Sequence, residues 1–366
     1  MQSFILSLLL IGGPIQDRIL VEYPNGRIDF PKIQVPYSEH PDTYKSDFAQ
    51  SEAVQYLTEL RLVIKKLNYP DWFVYQLIHE TGKAFYGEEN VNLNTLFSWY
   101  MLNQLGFDAL LTKTDGWYGL YIKSKQQAQN SAIIDGNIYT GLNTAIKPDS
   151  VIWSESVNKR LFDFDIMELP ESDIWLEHTY SYLFKDSLAI YQHLHPFSSF
   201  YFLRAYPYIK DPRHYFEYGL RSDSDDYLNL LKGLVEGYSE FQKLDFLFKF
   251  QHRNNFFIKK EEIEDGERAR AFPGEIINDG KGTLFSLSCL FYSTLVELTD
   301  FRIYVLQVGE QVDQVILGIE INKDRSLQTS SLPDDLIICD FRYNGTRRLT
   351  DYIENLKVLW VHPFIK

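Results

Sequence analysis

The chain has 366 residues, 45% hydrophobic and 16% aromatic, enough to bury the cores of two or three domains. Its 36 basic and 50 acidic residues leave a formal net charge of −14, which weighs against nucleic acid or an anionic membrane surface as a partner. Charged residues at 23% mark a folded rather than a disordered chain, and two cysteines are too few for a disulfide framework or a cysteine-based zinc site.

Phe4 to Gly13 is an apolar segment too short to span a bilayer, and no Lys or Arg precedes it. It reads either as the core of a cleaved export signal over residues 1–16, which would place the protein in the periplasm or otherwise outside the cytoplasm, or as a first strand of a cytoplasmic protein. No other stretch approaches membrane-spanning length. Arg18 to Ile33 alternates around Pro24-Asn25-Gly26 and predicts a β-hairpin. Val54, Leu57, Leu60, Leu62 and Ile64 predict a helix from Ser51 to Leu67, stopped by Pro70. Asp71 can cap a helix running to about Ala84, and a third spans Leu93 to Leu105 before Gly106. Strands are expected at Phe107 to Lys113, Trp117 to Lys123 and Ala132 to Tyr139. Residues 17–145 thus form an N-terminal α+β domain.

A β-rich middle region follows over 146–222, with strands at Val151 to Trp153, Arg160 to Met167 and Phe197 to Tyr208. Residues 223–366 carry helices at Tyr227 to Glu236, Phe241 to Arg253 and Leu284 to Leu298. Their strands lie at Phe301 to Val308, Val312 to Ile321 and Asp335 to Phe341. Setting Leu96-Phe97 against Leu290-Phe291 without gaps also matches Met101-Leu102 with Leu295-Val296, Phe107 with Phe301, and Leu111 with Val305. Further on, Tyr139 to Gly141 parallels Tyr343 to Gly345. This is the pattern of a degenerate duplication, or of two unrelated helix-to-sheet units.

Several motifs have plain structural readings. Cys289 and Cys339 sit in apolar runs and read as small buried hydrophobes, with a bond between them left open. The short basic clusters Lys259-Lys260, Arg268 to Arg270 and Arg347-Arg348 read as solvated surface. His193 and His195 would share one face of a strand but lack a third metal ligand. His79-Glu80 lacks the second histidine of a zinc-protease motif. The acidic run Glu261 to Glu267 reads as a solvated loop before a calcium site. The aromatic residues between Phe197 and Tyr208 read as core before a peptide or sugar groove.

Phe272-Pro273-Gly274-Glu275 ahead of a long apolar helix, two strands, and then Leu336-Ile337-Ile338-Cys339-Asp340-Phe341 together resemble the catalytic core of bacterial transglutaminase-like proteins, a papain-type superfamily. The helix Phe241 to Phe257 and the region Asp71 to Leu111 fit the same pattern. The resemblance implies an α+β fold in which a cysteine opens the helix, a histidine stands on the second strand and an aspartate on the third. A helix start lowers a thiol's pKa, the imidazole takes its proton, and the carboxylate orients the imidazole. Here the cysteine position falls on Leu284, or on Thr283 with a one-residue slip. The histidine position falls near Gln314, and only Asp340 keeps its residue type. Cys289, beyond the first turn, faces away from the helix start. The resemblance therefore implies a pseudoenzyme without cofactor or metal, acting as a peptide- or protein-binding module. The alternatives are an active cysteine-type hydrolase or acyltransferase with rearranged residues, and a glycan-binding surface protein.

Overall fold

The computed structural model describes residues 18–23, 26–31, 35–51, 54–67, 69–144, 151–153, 159–166, 175–184, 187–196, 202–219, 225–253, 259–260, 270–309, 314–320, 332–333, 335–343, 345–351 and 355–362. The fold is α+β, with helices and antiparallel sheets. In chain order, β1 (Arg18–Tyr23) and β2 (Gly26–Pro31) precede four helices: α1 (Pro41–Gln50), α2 (Val54–Leu67), α3 (Asp71–Tyr86) and α4 (Val91–Gln104). Next come β3 (Ala109–Thr114), β4 (Trp117–Lys123), β5 (Ser131–Ile134), β6 (Asn137–Gly141), β7 (Val151–Trp153), β8 (Trp175–Phe184) and β9 (Ser187–Pro196). Helices α5 (Arg213–Gly219), α6 (Asp225–Leu234) and α7 (Glu240–Arg253) lead to β10 (Lys259–Lys260), α8 (Pro273–Asp279), β11 (Lys281–Gly282) and α9 (Leu284–Leu298). The chain closes with β12 (Arg302–Val308), β13 (Val315–Glu320), β14 (Ile337–Cys339), β15 (Arg347–Arg348) and β16 (Leu356–His362).

Contacts divide the chain into two units, one of residues 1–68, 74–122 and 141–161, the other of residues 69–73, 123–140 and 162–366. In the first, β1 and β2 pair antiparallel from Arg18↔Pro31 to Tyr23↔Gly26, so the expected hairpin is present. Helix α4 is its centre, because every residue from Leu93 to Leu102 is buried. A helix apolar on all sides belongs inside a core rather than on its surface. The chain then turns back through β3 and β4, which pair from Ala109↔Ile122 to Thr114↔Trp117. Asp115 and Gly116 make the two-residue turn with φ of 50° and 89°, the left-handed pair that matches strand twist. Strand β7 pairs on the other side of β3, with a register shift between Leu111 and Thr112.

In the second unit the central helix is α9, buried from Phe285 to Val296. The sheet beside it runs β15-β14-β13-β12-β16, antiparallel throughout. All six residues of β13 are buried, as a middle strand covered on both faces must be. Behind the sheet Leu306, Val308, Ile316, Leu336 and Ile338 form a separate apolar cluster. Gly318 is required there, since a Cβ would overlap Leu336 and come within 3.0 Å of Leu306 Cδ1.

Four expectations are corrected. Ala132 to Tyr139 is not one strand but the hairpin β5–β6, because Asp135 and Gly136 turn with φ of 49° and 75°. Arg160 to Met167 is not a strand in its described part, where only isolated bridges at Arg160 and Phe162 occur. The described end of Phe197 to Tyr208 opens with a helical turn at 202–204, and Phe202 and Tyr206 are core residues packed on Phe73 and Phe272. Arg270, expected in solvent, is fully buried, with Nη1 donating to the carbonyls of Ile209 and Lys210 and aromatic rings of Tyr208 and Phe285 against its guanidinium. Helix α1 and the hairpin β8–β9 are not among the expected elements, although the strand considered for His193 and His195 lies in β9. Residues 1–16 and the acidic run Glu261 to Glu267 lie outside the described residues.

Candidate functional site

Leu284, Gln314 and Asp340 are placed by α9, β13 and β14. Thr283 caps α9: its Oγ1 accepts from the Ser286 N–H at 3.2 Å and lies 3.0 Å from Ser286 Oγ, which itself accepts from the Ala271 N–H. Leu284 is the first residue of the helix and is half-buried. Ser288 Oγ donates to the carbonyls of Leu284, at 3.0 Å, and Val315, at 2.8 Å. This ties the first turn of α9 to the start of β13. Gln314 stands immediately before that strand and accepts from the Val308 N–H at 2.9 Å. Leu317 faces Cys339 across β13 and β14, so Asp340 comes level with Ile316. The three positions therefore lie at one end of the helix-on-sheet unit.

The chemistry at that end is not that of a triad. Asp340 is 2% exposed and its carboxylate is engaged by Arg342. The Arg342 backbone N–H donates to Oδ1 at 2.9 Å, Nε to Oδ1 and Oδ2 at 3.1 and 3.0 Å, and Nη2 to Oδ2 at 2.7 Å. A fork of this kind is among the strongest partners a carboxylate can have. The neighbouring Phe341 stacks on His252 of α7, with ring centroids 6.3 Å apart and planes at 11°. Sequence reasoning passed over His252. The available signal was its place four residues after Phe248, which puts both rings on one face of α7 against Phe341.

Both cysteines are free and fully buried. Burial pushes the Cys289 thiol well above its usual range, although the Arg270 guanidinium opposes the shift. Burial and the adjacent Asp340 push the Cys339 thiol up as well. Neither supplies thiolate near neutral pH. Three imidazoles lie in hydrogen-bond contact with tyrosine hydroxyls: His193 Nδ1 with Tyr191 at 3.1 Å, His214 Nε2 with Tyr206 at 2.9 Å and His362 Nδ1 with Tyr292 at 2.8 Å.

The remaining candidates are dispersed. His193 is fully buried on β9, opposite His178, with Nδ1 4.0 Å from Asp226 Oδ2. His79 stacks on Tyr75, and Glu80 pairs with Lys83 at 2.8 Å. Among the described residues, no group of three His, Cys, Asp or Glu side chains is placed to hold a metal ion. No helix among them is long and apolar enough to cross a membrane.

A polar cluster in the second unit had no signal in the sequence, because distant segments build it. Gln126 Nε2 donates to Asp163 Oδ1 at 2.9 Å and Asp165 Oδ1 at 2.6 Å, and Asp71 Oδ2 accepts from the Asp163 N–H. Burial pushes both aspartates up. For Asp163 the hydrogen bonds from Lys125 and Gln126 outweigh it, whereas Asp165, beside the Asp163 charge, stays above the usual carboxylate range. Tyr206 donates to the Phe164 carbonyl, so His214 Nε2 carries the proton of their contact. Burial lowers the His214 pKa to about 4 against the pull of Asp211 and Asp163, which keeps the ring neutral.

No protein-family model matches the chain, and no curated protein matches it.

Proposed function

We propose that the chain is a catalytically inactive relative of the transglutaminase-like superfamily, working as a peptide- or protein-binding or assembly module outside the cytoplasm. One observation carries this reading: a helix start, a strand start and a strand end lie at the same end of the helix-on-sheet unit, and they carry Leu284, Gln314 and an Arg342-clamped Asp340. Leucine has no nucleophilic atom, glutamine is no base at neutral pH, and a carboxylate held by a guanidinium has no imidazole to orient. The thiol and hydroxyl groups nearby are engaged in cap and carbonyl hydrogen bonds or buried as neutral thiol. The same reading takes the α4–β3–β4 region as a degenerate copy of the core. Purified protein should show no peptidase, amidase or transglutaminase turnover above background. Turnover abolished by Cys289→Ala would sink the proposal.

A further inference from the structure

The hairpin β8–β9 is a two-stranded sheet of ten residues in each strand, paired from Trp175↔Pro196 to Phe184↔Ser187. Its inner face is buried at Tyr182, Tyr191 and His193, and the Tyr182 ring meets Phe250 of α7. The alternation of a half-covered sheet calls for polar residues on the outer face. Instead that face carries Trp175, Leu188, Ile190 and Leu194, which are 55%, 65%, 68% and 47% exposed. Between them stand Thr179, Ser181, Gln192 and Glu177, and Glu177 Oε1 accepts from Gln192 Nε2 at 3.1 Å.

We infer that this face is where a second copy of the chain docks, hairpin on hairpin about a two-fold axis. Charge at this face does not oppose a copy, although the chains as wholes repel one another. Each chain carries a net charge of −14, and Glu177 is the only charged side chain among these eight. An antiparallel two-fold packing centred near Ile190 sets the two Glu177 carboxylates at opposite ends, roughly 25 Å apart at about 3.4 Å per residue, beyond the reach of screened repulsion. A bilayer surface would instead meet Glu177 with Asp225 and Asp226 nearby and no basic anchor among the eight. Area fits a second copy. The four apolar side chains together offer on the order of 400 Å² per copy, and with their polar neighbours the face approaches the roughly 800 Å² per partner of a standard interface.

Sedimentation velocity of the full chain at tens of micromolar tests this. The expected result is a dimer, converted by Ile190→Lys to a monomer of unchanged far-UV circular dichroism, with the dissociation constant raised at least about tenfold. Leu62→Lys, on the exposed side of α2, should leave the dimer intact. A monomeric wild-type chain, or a dimer that survives both Ile190→Lys and Leu188→Glu, would overturn the inference. So would a monomer that floats with phosphatidylcholine vesicles in an Ile190-dependent way. Loss of the dimer leaves the enzymatic assays of the proposed function untouched, so the two fail separately.

Discussion

In the first unit α4 runs into β3, turns through two residues and returns along β4, while β7 closes on the far side of β3. In the second, α9 runs into β12, returns along β13 after a longer loop, and β16 closes on the far side of β12. The gapless alignment that sets Leu96 on Leu290 also brings the last helical residues, Gln104 and Leu298, and the last strand residues, Thr114 and Val308, into correspondence. The register shifts fall at matching places too, between Leu111 and Thr112 and between Val305 and Leu306. Leu111 faces Trp153 there, and Val305 faces Trp360. A bulge is a local backbone feature that apolar patterning alone does not place, so it speaks to shared architecture more directly than matched leucines do.

The regions differ at the helix-start end. In the first, Asn143 accepts from the Leu120 N–H and donates to Thr95 Oγ1, both at 2.7 Å, so neutral groups join strand to helix. In the second, Asp340 is held by a guanidinium, and a second ion pair, Arg302 Nη1 to Glu320 Oε2 at 2.9 Å, is buried at the other end of the β12–β13 hairpin. The architecture is thus compatible with neutral or ionic chemistry at the same end, but charge makes the second region the more sensitive to truncation.

Truncation should expose this difference. Arg302→Ala leaves Glu320, 1% exposed, with an uncompensated charge and should cost about 3–5 kcal/mol in urea unfolding. A cost below about 1 kcal/mol would show that water reaches the pair. Acid should also act first on the second unit, through His214. Its pKa is depressed from 6.5 to about 4, so unfolding takes up a proton between those values. Its contribution is full above pH 6.5 and is lost as pH falls toward 4, on the order of 3 kcal/mol in all. His214→Gln should flatten that part of the stability–pH curve, and an unchanged slope would assign it to other groups. Arg342→Ala should cost about 2–3 kcal/mol, and Asn143→Ala only about 1 kcal/mol, because an amide leaves no buried charge behind. Equal losses would remove the contrast between the regions. A loss as small is expected from Thr283→Ala, about 1 kcal/mol for the lost cap of α9. Hydrogen exchange should localise it to the first turn of that helix.

Much of the local structure was legible because it depends on near neighbours. The limits of α9 followed from a largely apolar run between Thr283 and Thr299, and β4 matches the expected strand Trp117 to Lys123. The Asp135-Gly136 turn is a signal the residue pair itself carries, and it was missed because the flanking residues read as one continuous strand. The α+β class and the absence of cysteine and histidine from the three resemblance positions likewise come from residue identities alone. What only tertiary structure decided is which distant groups meet: Arg342 on Asp340, His252 on Phe341, Gln126 between Asp163 and Asp165, and Arg270 buried among rings. Those pairings depend on desolvation and register between segments far apart in the chain. A pattern of period two or three and a half carries no record of them.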